Sequence, residues 1–181
     1  MKIEYADDDY ESIGTLIKLR TPFLIVGLVL GMGISVVTSR FEEVLSQNIE
    51  IAFFIPFIVY IADAVGTQTE SIYSRALKSG NAKFLTYLKK ESALGMIFGL
   101  AFGILAAGIT YLWLQNEQVT LAVGIATFFA VASAPIFALL ITEALQLLRK
   151  DPAAGSGPIA TVIQDMASVV IYGIVSTIII L

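Results

Sequence analysis

The chain has 181 residues, of which 57% are hydrophobic and 14% charged, and its net charge is −4. A soluble domain is about half apolar and a quarter charged, so this composition predicts an all-α integral membrane protein built as one compact domain. With no cysteine and no histidine, disulfides, thiolate and imidazole metal sites and His-based catalysis are excluded, and any metal must be held by oxygen, which favours hard cations such as Mg²⁺, Ca²⁺ or Mn²⁺.

Residues 1–20 open as an acidic tail, Met1 to Glu11, without a signal-peptide pattern, and continue through Ile13, Leu16, Ile17 and Leu19 with Lys18 and Arg20 between them. They read as a tail followed by a short interfacial helix. The first span runs from about Pro22 to Val37, with Gly27, Gly31 and Gly33 as a small-residue packing face. A loop carrying Arg40, Glu42, Glu43 and Glu50 follows. The second span starts near Ile51, contains Pro56 and turns polar over Asp63 to Ser71, with nothing to stop it before Gly80-Asn81. At ~1.5 Å per residue this helix exceeds the ~30 Å bilayer core, so it protrudes or kinks at Pro56.

Residues 81–91 form a basic amphipathic segment that suits an interfacial linker. The third span, about Ser92 to Leu114, carries Gly95, Gly99 and Gly103 at four-residue intervals, a ridge for tight helix contact, and ends on the interface residues Tyr111 and Trp113. The fourth, about Val119 to Leu148, holds Pro135, which predicts a kink, and Glu143 near its far end. The fifth opens at Gly155-Ser156-Gly157-Pro158, with Ser156 as the cap and Pro158 in the first turn, and is apolar to Leu181 apart from Gln164 and Asp165.

Five spans put the termini on opposite sides. With the N-terminus inside, ten of the eleven basic residues are cytoplasmic and only Arg40 is outside. The expected topology is therefore a multi-pass protein with a cytoplasmic N-terminus and an external C-terminus. The bias reports topology, not nucleic-acid binding.

Within the fifth span, Thr161, Asp165, Ser168 and Tyr172 fall on one helical stripe. An ionisable group there costs at least ~3 kcal/mol, so it should face a partner or water rather than lipid. Counted at ~1.5 Å per residue, Asp165 and Asp63 each lie roughly 12 Å from the cytoplasmic face, and Glu143 also falls in the inner half. Carboxylates gathered in this way bind a cation or share protons. Glu143 has the further reading of snorkelling beside Arg149 and Lys150. A sparse site suits hydrated Mg²⁺, which is held by one or two carboxylates, better than a Ca²⁺ cage of six to eight oxygens. Two copies of Asp165 on a two-fold axis would form a ring of charge.

At this point the residues resemble the membrane domain of the MgtE family of magnesium channels and transporters, over about residues 20–181. The matching stretches are Arg20-Thr21-Pro22-Phe23-Leu24, Phe41-Glu42, Ile55-Pro56 through Gly66-Thr67-Gln68 with Arg75, and above all Asp151 to Pro158 followed by Thr161 and Asp165. The resemblance implies a homodimer with five helices per subunit in the cell membrane. Its pore would lie between the subunits, lined by the second and fifth helices. Residues 1–20 would be the tail and interfacial helix, and 21–181 the ion-conducting domain.

The metal ligands expected on this reading are Asp165, Asp63 and Thr161. Gln68, Thr67, Ser168, Gln164, Glu143 and Gly66 are expected as pore-lining or supporting groups, and Mg²⁺ as the bound and transported ion. Two departures stand out. The family commonly reads Gly-Gly-Asn-x-Gly-x-Gln where this chain has Ala62-Asp63-Ala64-Val65-Gly66-Thr67-Gln68, so the Asn is missing and an acidic residue sits just before its place. Only about twenty residues precede the first span, so gating is expected to be intrinsic or supplied by a separate regulatory protein.

The leading reading is a divalent-cation channel or transporter acting as a dimer, and no nucleophile–base pair or phosphate loop points to an enzyme. A secondary transporter exchanging the cation for Na⁺ or H⁺ would use the same carboxylates. A non-conducting assembly subunit, with the glycine ridges as binding faces, is the third class.

Overall fold

The computed structural model describes residues 9–80, 82–148 and 152–181. Most of the acidic tail, Asn81 and the Arg149-Lys150-Asp151 connection fall outside the described residues. Along them run α1 (Ile13–Ser39), α2 (Glu42–Gln47), a 3-10 segment (Ile49–Phe54), α3 (Ile55–Lys78), α4 (Phe84–Leu114), α5 (Glu117–Leu147) and α6 (Pro152–Ile180). Five of these, counting the 3-10 segment with α3, are long and apolar enough to cross a bilayer, as expected from sequence. In hydrocarbon only a helix satisfies its own backbone polar groups within one segment, which is why the apolar runs are helical throughout.

Several boundaries differ from the sequence reading, each for a local reason. Ser12 caps α1, its hydroxyl accepting from the Thr15 amide at 3.3 Å, and the helix runs unbroken through Pro22. The connection after the first span contains α2, whose first turn carries Glu42 and Glu43, well placed for the positive end of a helix. Val44 on α2 is 1% exposed and plugs the end of the bundle. Pro56 does not kink the second span. It occupies the first turn of α3, where no N–H is required, and the chain ahead of it is 3-10.

α3 ends at Ser79 and Gly80, as read, with Gly80 at φ 72. The basic segment before the third span is not a separate linker but the first turns of α4. That helix has 31 residues, ~46 Å at ~1.5 Å each against a ~30 Å core, so its basic end extends beyond the hydrocarbon. α6 likewise starts at Pro152, not at Ser156, so Ser156 is not its cap and Pro158 lies inside the helix.

α5 is the most buried helix and contacts α3, α4 and α6, while α6 also contacts α1. The link between α4 and α5 is Gln115-Asn116, with Gln115 left-handed at φ 51 and the Asn116 side chain capping α5. The glycine ridge packs as expected. A methyl added at Gly95, Gly99 or Gly103 would stand 2.9, 2.7 or 2.8 Å from the carbonyl oxygens of Ala132, Phe128 and Gly124 on α5. α1 rests on α6 through Gly27 and Gly31, opposite Pro158 and Val162, and buries no residue of its own.

Gly99→Ala therefore forces α4 and α5 apart and should cost about 1–3 kcal/mol, read as a lower thermal midpoint of the detergent-solubilised protein. Gly108→Ala, with nothing within 4 Å of the added carbon, should leave that midpoint unchanged.

Candidate cation site

The polar part of α3 and the polar part of α6 meet in one narrow cleft. α3 presents Asp63, Gly66, Thr67 and Glu70, spaced i, i+3, i+4 and i+7 and so on one helical face. α6 contributes Ala160, Thr161 and Gln164, and α5 closes the back with Ala134 and Ala138. The cleft is tight, with a cavity volume of about 10 Å³, room for roughly one water-sized sphere. It exists because the α5 wall is made of methyl groups and because Gly66 sits against Ala134, where even an added methyl would find only ordinary contact at 3.6 Å.

Asp165 adjoins this cleft on α6. It is partly buried, its Oδ1 is fully buried with no hydrogen-bond partner, and Asp63 is the charged group acting on it. Asp165, Asp63 and Thr161 are thus gathered at one seam between α3 and α6. Of the supporting residues, Gly66, Thr67 and Gln164 line the cleft, and Gln68 lies exposed on α3 outside its lining.

Ser168 is completely buried. Its hydroxyl donates to the Gln164 carbonyl at 2.9 Å and lies 3.3 Å from Gln164 Nε2, so it orients Gln164. Tyr172, on the same stripe, is also turned inward and donates its hydroxyl to the Ile51 carbonyl at 2.8 Å.

Glu143 departs from its expected place beside Asp63 and Asp165. Its Oε2 accepts a hydrogen bond from the Tyr73 hydroxyl at 2.6 Å, which ties the C-terminal part of α3 to α5. That bond turns Glu143 toward α3, and no cluster of three acidic residues is poised to hold a metal among the described residues.

Two acidic residues went unremarked in the sequence. Glu91 on α4 accepts from the Thr69 hydroxyl at 2.7 Å. Glu70 lines the cleft, and its signal was its place seven residues after Asp63, two turns along the same face.

Five membrane-crossing helices around an oxygen-lined seam define a multi-pass α-helical membrane protein. The sequence model of the MgtE family, described as a divalent cation transporter, matches residues 55–175, from the start of α3 well into α6. The chain belongs to the MgtE family. It is 27% identical to the magnesium transporter MgtE of Bacillus subtilis over 94% of this chain and 41% of that protein. It is 31% identical to the magnesium transporter MgtE of Enterococcus faecalis over 84% of this chain and 34% of that protein. The Thermus thermophilus protein of the same name is 26% identical, with the same coverage as the Enterococcus one. The chain therefore spans well under half the length of these relatives.

Tyr73→Phe leaves the Glu143 carboxylate without its hydroxyl donor. It should destabilise the fold by about 1–3 kcal/mol, measured as a lower melting temperature, while Tyr60→Phe, on an exposed part of α3, should not.

Proposed function

We propose that the chain forms the membrane pathway of a divalent-cation channel or transporter, with Mg²⁺ as its principal cargo and Asp165 as the main cation-binding carboxylate. The observation that carries this reading is the pairing of an unsatisfied, buried Asp165 oxygen with a second carboxylate, Asp63, at one membrane seam. Two acidic groups held together in a low-dielectric setting repel, and a cation between them relieves both the repulsion and the missing hydrogen bond. Neither α6 nor the part of α3 before Arg75 contains a Lys or Arg that could serve instead.

Mg²⁺ fits the donor set because it keeps most of its water and needs only one or two carboxylates. The names of the three relatives support the same cargo. The pathway lies between two copies of the chain, with α3 and α6 of each lining it, so that two Asp165 side chains face one another across a two-fold axis. The excess of Lys and Arg at one end of the helices supports a cytoplasmic N-terminus and an external C-terminus.

Purified chain reconstituted in liposomes loaded with a Mg²⁺-sensitive dye should take up Mg²⁺ down an imposed gradient. Asp165→Asn, which keeps the shape and removes the charge, should slow uptake at least about tenfold, equivalent to about 1.4 kcal/mol of lost ion stabilisation. Uptake by Asp165→Asn at the rate of the unaltered chain would show that the ion takes another path. A requirement for an opposing Na⁺ or H⁺ gradient would identify a coupled exchanger rather than a channel.

A further inference from the structure

One face of α4 runs unbroken from the basic end of the helix into the bilayer. Lys89, Ala93, Met96, Leu100, Gly103 and Ala107 stand at i, i+4, i+7, i+11, i+14 and i+18, a single stripe along the helix. The first four are exposed. Counted inward from Tyr111, about 20 residues of helix cross the ~30 Å core and end near Glu91, so Lys89 stands at headgroup level. Glu91 does not neutralise that lysine. It lies about 200° round the helix, where the Thr69 hydroxyl of α3 engages its carboxylate at 2.7 Å.

The stripe leads into a groove between α4 and α5. Gly103 and Gly124 supply no side chains there, and Leu100 and Ile104 line it from α4, Phe128 and Phe129 from α5. The groove has a volume of about 480 Å³, far more than one water needs and within the range of ligand sites. Its lining is apolar apart from Thr120, whose hydroxyl is buried. The near end, at Leu100, is about 16 Å from Lys89 along the axis, close to the ~15 Å half-thickness of the core.

We propose that this stripe docks one anionic phospholipid of the leaflet at the basic end. The lipid phosphate meets Lys89, and one acyl tail lies along Met96 and Leu100 and enters the α4–α5 groove. Lysine at headgroup level attracts anionic lipid, and the spacing of charge and groove matches one leaflet. A tail held straight in a groove extends past the midplane and restores the dispersion contacts that the missing side chains of Gly103 and Gly124 leave unmade. A helix of a second copy laid on the same stripe would instead bury Lys89, which costs more than it returns without a paired acid. The headgroup leaves the ammonium in water. The proposal does not depend on the ion pathway, because α4 lines no part of the α3–α5–α6 cleft.

The test is native mass spectrometry of the purified full chain, titrated with phosphatidylglycerol or with phosphatidylcholine of the same chain length. The unaltered chain should retain one phosphatidylglycerol per protomer in preference to phosphatidylcholine. Lys89→Gln should lower that preference about fivefold, and Lys89→Arg should keep it. Lys90→Gln, also exposed but about 100° round the helix, should change it by less than about twofold. Leu100→Trp, at an exposed position, fills the groove and should weaken retention of phosphatidylglycerol with Lys89 intact.

An unaltered chain without the preference, or an unchanged preference in Lys89→Gln, would overturn the proposal. An equal loss in Lys90→Gln would overturn it too, since the lysines would then act as a general basic surface. Unchanged retention in Leu100→Trp would remove the groove from the site, and loss of self-association in that variant would assign the groove to a second copy. Either result would also overturn the proposal.

Discussion

The close crossing of α4 and α5 is the contact on which the rest of the structure depends. Lipid tails are as apolar as leucine, so no hydrophobic force drives two helices together inside a bilayer, and they associate through packing at short range. Gly95, Gly99 and Gly103 remove every side-chain atom from one face of α4 over two turns. The backbone then lies directly on the Ala132, Phe128 and Gly124 carbonyls of α5. α5 is held from one side without spending its other faces. Those faces are also built from small residues, Ala130, Ala134 and Ala138, all almost wholly buried. α3 and α6 can therefore come close to α5, and the gap between them is narrow enough for the polar groups of both to share one cleft.

Against that frame of alanine and glycine, the acidic residues divide into two kinds. Glu143 and Glu91 each accept a short hydrogen bond from a hydroxyl, Tyr73 at 2.6 Å and Thr69 at 2.7 Å, and both bonds join different helices. These carboxylates tie neighbouring helices together. The neighbouring residues Gln164 and Asp165 behave differently. Each has a buried oxygen with no hydrogen-bond partner, as do the Ser74, Thr110, Thr120 and Ser176 hydroxyls, whereas Ser168, Tyr172 and Thr142 are satisfied through backbone carbonyls. Unsatisfied buried oxygen is expensive.

Hydropathy made the five spans readable, because a run of about twenty apolar residues in a chain this poor in charge has no other physical outcome. Glycine spacing identified the tight helix pair for a similar reason, since the four-residue interval is itself the contact geometry. The ends were harder. The residues from Phe84 to Glu91 look like a separate basic segment because hydropathy falls there, yet nothing in them breaks a helix, and α4 simply continues out of the membrane. At the start of α6 two prolines, Pro152 and Pro158, are equally acceptable in a first turn by local rules, and the sequence does not choose between them. Glu143 was misplaced because counting residues yields depth but not azimuth. Its azimuth is set by a hydroxyl seventy residues away. Glu70 was legible by periodicity from Asp63, but it was hidden within a polar run that read as a protruding helix end.

The contacts are not equally tight across the bundle, and the cleft lies on the boundary between two regimes. Between α4 and α5 there is no room for even one carbon at three successive positions. Between α1 and α6, the nearest atoms to an added methyl at Gly27 and Gly31 are at 3.5 and 3.9 Å, only the mobile end of the Met166 side chain comes as near as 3.3 Å, to Gly33, and α1 buries none of its side chains. At Gly66, where α3 meets α5 beside the cleft, the figure is 3.6 Å. The width of the acidic seam is thus set by the looser contacts of α3 and α6, not by the glycine-locked pair behind them. A packed backbone–backbone contact resists displacement far more than side chains meeting at normal separation, because sliding it opens voids that lipid and water are too large to fill.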